Sequence, residues 1–575
     1  MRFSVFLLLA VLGSAQPPPG GARQAEAKEP SEPGIPVRSQ LVKDKCSGCH
    51  RADAKGNLTR ISWERTTPEG WQQIIKRMVR LNGLVLRPEE AREIVKTLSE
   101  THGLAPEEAK PVAWYWEKRY IDGETHPTVA IGDACASCHP MAQALSWRRS
   151  REEWDLLVDM HRGYFPVVEN TSFRRPSYPA QGGGGGGAGA GPTPGQSANP
   201  AATGTRRGLE QMLGAVEYLA KGNPLHTPAW AAWQGSRGEP RLAGRWLVVA
   251  DLAAKGRFVG EMTIAGGAGG EFTTKTTLTS LKTGEKMARE GKAVVYTGYA
   301  WRGRSMVAGK EEREVMSFAA DQLSAEGRWF WGGYSEFGYD VKLVRAGDGP
   351  VLLTTGQGGL QIGTKGTELK IYGDSLPAGL QPAEINLGRG VTVTQIAAQT
   401  PSMLTVNVDV AADALPGKRP IAIRRATLPA AVPVYGAVDY IKIPRTSHAR
   451  LGGTTHPKGF FQYEAVACSN GIDGKPNTAD DVEIGPVAAK WSMEEFAARM
   501  GDDDKEFVGS LSAEGLFTPN GEGPNENRKF GSNNFGDVWV VATYEGGAKP
   551  LMAKSYLVVS IPLYVRWDHQ PEVGR

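Results

Sequence analysis

The chain has 575 residues, with 66 Lys+Arg against 62 Asp+Glu and a formal net charge of +4. That length exceeds what one hydrophobic core can organise and predicts three or four domains, while the balanced charge excludes the electrostatic footprint of a nucleic-acid or membrane-surface binder. The 72 glycines point to frequent turns, and so to many short strands.

In chain order, Met1-Arg2, the apolar run Phe3 to Leu12 and the small residues Gly13-Ser14-Ala15 read as a secretory signal with its cleavage site, residues 1–15. The apolar run is too short to span a bilayer, and no later stretch is long and apolar enough to do so. The mature chain is therefore expected to be soluble and exported, in a periplasmic location. Residues 16–40, rich in Pro, Glu, Ala and Gly, are expected to form a disordered lead-in.

Next come two C-x-x-C-H pentads, Cys46-Ser47-Gly48-Cys49-His50 and Cys135-Ala136-Ser137-Cys138-His139. Thiols three positions apart can both reach the vinyl carbons on one edge of a porphyrin and form thioethers. The adjacent histidine then lies under the iron as an axial ligand. One pentad could equally be a zinc half-site or a redox pair. Two of them behind an export signal, using four of the five cysteines, point to two c-type haems. Cys46, Cys49, Cys135 and Cys138 are the attachment residues, with His50 and His139 on the irons. Cys468, left over, is expected to be a buried free thiol.

From Leu41 to about 226 the sequence repeats once, which predicts an α-helical di-haem cytochrome c domain. Each unit carries its pentad and then a helix, Trp71 to Met78 in the first and Trp154 to His161 in the second. Met78 and His161 each lie seven residues beyond the tryptophan, close to two turns, and so share its face. This proposes His50/Met78 for the first iron and His139/His161 for the second. Met78 could instead be plain core packing, Met160 could replace His161, and His102 and His126 are further ligand candidates. Trp114-Tyr115-Trp116 and Tyr120 form an aromatic cluster between the units, expected to fill their joint. The Gly-rich insertion at 182–200 cannot bury enough apolar surface to order itself.

After about 227 helical spacing gives way to alternation bounded by glycine. A compact, barrel-like antiparallel β domain is expected over 227–347, with strands at Arg245 to Val249, Phe258 to Ile264, Phe272 to Leu278 and Ala293 to Tyr299. Trp301-Arg302-Gly303 and Gly327-Arg328-Trp329 read as strand-turn punctuation. An immunoglobulin-like β-sandwich is expected over 348–428 and a C-terminal β domain over 429–575. Asp473, Asp480, Asp481 and Glu483 could coordinate calcium, but their spacing fits a hydrogen-bonded Asx-rich turn better. The polar loop with Asn525, Arg528, Asn533 and Asn534 suggests no chemistry.

Taken together, the chain resembles the α subunit of quinohaemoprotein amine dehydrogenase over nearly its whole mature length. The resemblance rests on both pentads, the Trp-spaced helices and several β-domain stretches. These include Tyr296-Thr297-Gly298-Tyr299-Ala300-Trp301-Arg302-Gly303, Ala449-Arg450-Leu451-Gly452-Gly453 and Asn533-Asn534-Phe535-Gly536-Asp537-Val538-Trp539. It implies a separate small γ subunit whose cysteine tryptophylquinone oxidises a primary amine, and a β-propeller β subunit. It also implies a soluble cytochrome c or blue copper protein as electron acceptor. One His/Met haem and one bis-His haem are implied, in agreement with Met78 and His161. The glycine-rich insertion departs from the family pattern. No residue set in this chain can oxidise an amine alone, so catalytic residues are expected on another subunit. The rival readings are a stand-alone di-haem electron carrier, a di-haem peroxidase and a surface-binding β protein.

Overall fold

The computed structural model describes residues 32–113, 141–164, 214–498, 501–547 and 549–562. The signal segment, the second pentad, His126, the aromatic cluster and the glycine-rich insertion lie outside the described residues.

Helix α1, Gln40–Cys46, starts where the Ser39 hydroxyl accepts the Val42 N–H at 3.3 Å. Helix α2, Pro68–Asn82, has Thr67 accepting from Gly70 N at 3.3 Å and Pro68 in its first turn, and Gly83 closes it at φ 72°. Helix α3, Pro88–Thr101, again opens on proline, with Glu89 and Glu90 in its first turn. Val42, Trp71, Ile75, Ile94, Val95 and Leu98 are the buried face that joins these helices. Helix α4, Arg151–Tyr164, belongs to the second unit and packs through Trp154 on Val216 and Leu219. Strand β1, Glu64–Arg65, pairs antiparallel with β2, Arg148–Arg149, so matching positions just before α2 and α4 are hydrogen-bonded to one another. Residues 32–40, expected within the disordered lead-in, are packed. Ile35 N donates to Ser62 O at 2.8 Å and Val37 is buried, because Ile35 and Val37 supply apolar anchors inside a polar composition.

Eight strands close a barrel in the order β10-β3-β4-β5-β6-β7-β8-β9. They are β3 Gly244–Leu252, β4 Gly256–Gly266, β5 Glu271–Ser280, β6 Lys286–Tyr296, β7 Ala300–Val307, β8 Lys310–Phe318, β9 Ser324–Trp331 and β10 Phe337–Arg345. Trp246, Met262, Phe272, Trp301, Phe318 and Trp329 fill its interior. Both stretches read as punctuation lie inside strands. Trp301 sits in the barrel core and donates Nε1–H to Glu314 at 2.9 Å, while Arg302 points outward. Gly327 is glycine because a Cβ there would lie 2.2 Å from the Val315 carbonyl. The expected strand Ala293 to Tyr299 ends at Tyr296. Thr297 and Gly298 have φ of 56° and 78° and, with Tyr299, make the three-residue turn into β7.

That turn is where the helical domain is fastened to the barrel. Thr297 N donates to Glu100, its hydroxyl donates to Ser99 O at 2.9 Å, and its carbonyl accepts Trp233 Nε1–H at 3.1 Å. Trp233 and Trp230 lie on helix α5, Pro228–Ser236, and pack with the helical domain although their sequence position suggested the β domain. Buried Arg302 pairs with Glu69 in the first turn of α2, and against the cost of burial the guanidinium holds that carboxyl below its ordinary range.

Beyond the barrel, two four-stranded sheets face each other around Ile371, Leu404, Val406, Ile421 and Val434. One sheet is β11 Val351–Thr355, β13 Thr367–Asp374, β16 Met403–Val410 and β15 Val391–Gln399. The other is β12 Leu360–Gln361, β18 Ala426–Tyr435, β17 Gly417–Ile423 and β14 Ile385–Asn386. β18 runs past the expected edge at 428, its pattern hidden by Pro429 and by Ala430 at φ 48°. The last domain holds three small sheets around Ala449, Tyr463, Phe517, Val538 and Leu557, and Cys468 is buried and unbridged there. Among the described strands, pairing is antiparallel except where β12 meets β18 and where Thr446–Arg450 meets Leu551–Ser560.

Gly260 of β4 sits where an added Cβ would lie 1.9 Å from Thr277 O. Gly260→Ala is expected to destabilise the barrel by about 1–3 kcal/mol, read as a lowered melting temperature by circular dichroism; an unchanged melting point would refute the close approach.

Candidate functional site

At the first pentad the chain leaves α1 at Cys46 and keeps turning. The Cys46 carbonyl accepts from Cys49 N at 3.1 Å and from His50 N at 2.9 Å, which places His50 one turn beyond Cys46. Cys46 is buried and Cys49 exposed. Burial, helped by Cys49, pushes the Cys46 thiol up to about 11. His50 is half-buried, and its Nδ1 lies 2.9 Å from the Thr59 carbonyl. A carbonyl only accepts, so Nδ1 is the donor and Nε2 is the nitrogen left to bind a metal.

Helix α2 presents the next group. Trp71 is buried and donates Nε1–H to His102 O at 3.0 Å, and half-buried Met78 follows on the same face. After it in the chain, Val79, Leu81 and Val85 are 43%, 61% and 83% exposed.

In the second unit Trp154 donates Nε1–H to Asn223 O at 3.2 Å, and His161 gives Nδ1–H to Leu157 O at 2.8 Å. Burial, with the charges of Arg77 and Arg149, holds the His161 imidazole below its ordinary range and so neutral. Cys135, Cys138 and His139 are outside the described residues. The two alternatives that can be described are engaged elsewhere. Both ring nitrogens of His102 are within hydrogen-bond reach, of Thr101 Oγ1 at 2.7 Å and Ile35 O at 3.1 Å, and burial pushes it down to about 4. The Met160 sulfur lies 3.0 Å from Arg77 Nη1.

Around β1 and β2 lies a buried charge system that the sequence reading missed. Arg65 forms a fork with Glu108 at 2.8 and 2.9 Å. Arg149 pairs with Glu64 and lies 4.1 Å over the Trp147 ring, and Arg60 pairs with Glu153 at 2.8 Å. The available signal was the repeated Ser-Trp-x-Arg of Ser62 to Arg65 and Ser146 to Arg149, ahead of α2 and α4. Arg149 Nε is a buried donor with no partner among the described residues. At the first pentad an imidazole of fixed tautomer stands beside Cys46 and Cys49, and in the second unit another, His161, has a buried cation with a spare N–H nearby, each a fit for part of a haem with its carboxylates.

The polar loops of the β half are self-contained. Asp480 accepts from Ile472 N and Asp473 N, and Asp481 from Asn477 N and Thr478 N, an Asx-rich turn. Arg528 organises the Asn525 loop by donating to the Asn533 and Phe535 carbonyls at 2.6 and 2.5 Å.

Four family models match successive parts of the chain. "Quinohemoprotein amine dehydrogenase A, alpha subunit, haem binding" covers residues 37–177, and domains II, III and IV of the quinohemoprotein amine dehydrogenase alpha subunit cover 239–346, 351–436 and 441–572. No curated protein sequence matches. Among solved structures, the redesigned β-barrel mFAP1 bound to DFHBI shares 13% identity over 19% of this chain and 100% of its own, with a TM-score of 0.17. Mouse clustered PcdhgC3 EC1-3 shares 15% identity over 43% of this chain and 77% of its own, with a TM-score of 0.16. Scores this low carry no argument.

Glu153 is raised to about 7, chiefly by burial and then by the neighbouring carboxylate Glu64, against Arg60 and Arg149. The folded state thus holds this proton more tightly than the unfolded chain, so the carboxyl's contribution is full below the ordinary value of 4.5 and is lost as pH rises through about 7. Glu153→Gln is expected to flatten that decline, by on the order of 1–3 kcal/mol, in denaturant melts across the window; an unchanged pH slope would refute the assignment.

Proposed function

The chain belongs to the quinohemoprotein amine dehydrogenase alpha-subunit family and is a haem-binding subunit of an oxidoreductase, and from that premise we propose that it is the electron-relay subunit of the enzyme. It takes electrons from a cysteine tryptophylquinone on a separate small γ subunit and delivers them, by way of two c-type haems, to a soluble cytochrome c or blue copper protein. A β-propeller subunit completes the assembly, which works in the periplasm after removal of residues 1–15. The observation that carries the reading is the shared state of His50 and His161, each giving Nδ1–H to a main-chain carbonyl.

Haem c, when bound, supplies a one-electron ferric/ferrous couple. Everything else falls to the chain. Cys46 and Cys49 would anchor the first group, with His50 and Met78 as its iron ligands. Cys135, Cys138, His139 and His161 would hold the second. The carbonyls of Thr59 and Leu157 orient His50 and His161 and fix their tautomers. A thioether favours the ferrous state, so Met78 as a ligand would set the first group's potential above that of the second, held by two imidazoles, and electrons would pass from the second unit toward the first.

The division of labour is tested in two steps. A pull-down of this chain from periplasm, read by mass spectrometry, is expected to recover a small cross-linked subunit; recovery of the chain alone favours the stand-alone carrier. The isolated haem-loaded chain is expected to exchange electrons without turning over amines, and amine oxidation by it would refute the assignment. His161→Ala is expected to abolish the bis-imidazole low-spin EPR signal, and its survival would move the second ligand elsewhere.

A further inference from the structure

Strand direction alternates around the barrel, so the β3–β4 and β9–β10 turns lie at the end opposite the β6–β7 turn that holds the helical domain. Those two turns meet the C-terminal domain. Part of the contact is apolar or neutral: the Phe337 and Phe460 rings are 5.8 Å apart, and the Tyr334 hydroxyl donates to Pro457 O at 3.3 Å. The rest is made by two half-buried carboxyls. Glu464 of the C-terminal domain accepts the N–H of Ala254, in the β3–β4 turn, at 2.9 Å. Glu336 of the β9–β10 turn accepts Tyr334 N–H at 2.9 Å, and the Phe460 N–H of the facing domain stabilises its charge. The Oε1 of Glu336 is buried without a hydrogen bond. Neither carboxyl has an ion-pair partner among the described residues.

We propose that Glu336 and Glu464 form a proton-linked clasp, through which the C-terminal domain docks fully on the barrel while both carboxyls are neutral and loosens as they ionise. The charged groups facing Glu464 favour its neutral form. They are Asp251 on β3 and Asp340 on β10, opposed by Lys282 of the β5–β6 turn. The nearby arginines are spoken for, Arg257 of β4 by Asp251 at 2.8 Å and Arg328 of β9 by Asp340 at 3.0 Å. Glu464 also borders a cavity of about 600 Å³ between barrel, sandwich and C-terminal domain, whose charged lining is completed by Glu326, Lys342, Lys418 and Glu483. On Glu336 the acting groups are main-chain N–H donors, its own with those of Tyr334 and Phe460. Burial pushes both carboxyls up, against those donors, and for Glu464 Asp251 and Asp340 add to the rise. In separated domains each would return to its ordinary value of 4.5. The docked joint therefore keeps its protons to higher pH. Its stability is full below 4.5 and is lost as pH rises through the raised values. A neutral carboxyl retains its carbonyl oxygen, so the Ala254 N–H stays satisfied in the docked state.

The test uses the full haem-loaded chain and hydrogen exchange read by mass spectrometry, corrected for the pH dependence of intrinsic exchange, across about pH 5 to 8. Peptides carrying Ala254 and Phe460 report on the joint, and peptides from β6 serve as the internal reference. Wild-type protection at the joint is expected to fall with rising pH, by up to about tenfold per pH unit for each linked proton, while β6 holds constant. Glu464→Gln and Glu336→Gln keep an acceptor and remove the charge. Each is expected to make the fall shallower, and the double variant to hold protection at its acid level throughout. Asp340→Asn removes a like charge facing Glu464 from an exposed position and is expected to preserve more protection at the alkaline end. Joint protection that ignores pH, a fall shared equally by β6, a double variant with the wild-type slope, or Asp340→Asn with the wild-type profile would each overturn the proposal.

Discussion

The helical domain depends on a two-residue ribbon. β1 and β2 share register Glu64 to Arg149 and Arg65 to Arg148, and all four side chains are buried charges. A charge taken out of water is tolerated only with partners in place. Here they are Glu64 for Arg149, and Glu108 for both Arg65 and Arg148. A slip of one position would strand cations in the interior, so the ribbon has one acceptable register. α2 and α4 begin a few residues later, and their origins are therefore set relative to one another before any ligand side chain is considered.

From that origin the helices carry their functional groups outward at equal distances. The buried tryptophan of each is tied by its indole N–H to a main-chain carbonyl, His102 O for Trp71 and Asn223 O for Trp154. These bonds fix helix rotation as well as position, which decides where a side chain two turns further on emerges. The barrel contributes rigidity. Its β6–β7 turn reaches the end of α3, while Arg302 holds the start of α2 through Glu69.

Much of this was legible in the sequence, and the reasons differ by element. The Trp-to-ligand interval marks both helices because a period of 3.6 residues is a property of the local chain. Alternation exposed the barrel strands in the same way. The buried arginines showed only as a repeat, the Ser-Trp-x-Arg before each helix, and nothing local in it distinguishes Arg65 or Arg149 from a solvated charge until Glu108 and Glu64 arrive from elsewhere in the chain. Gly303 and Gly327 suggested turns because glycine usually marks them. In these strands it answers instead to close approach, of Glu314 and Trp301 in one case and of the Val315 backbone in the other. Pro429 hid the last sandwich strand because pairing with β17 breaks there and resumes only at Val432.

The main-chain fastening of Thr297 sets how this protein can meet others. A cytochrome module on a slack connector can swing between donor and acceptor and shorten each electron jump by its own travel. Here the module is bolted to a closed barrel through the turn's amide, hydroxyl and carbonyl together. Its reach is settled when the chain folds. In the proposed relay, movement would then have to come from the partners, with throughput set by encounter and release rather than by interdomain motion.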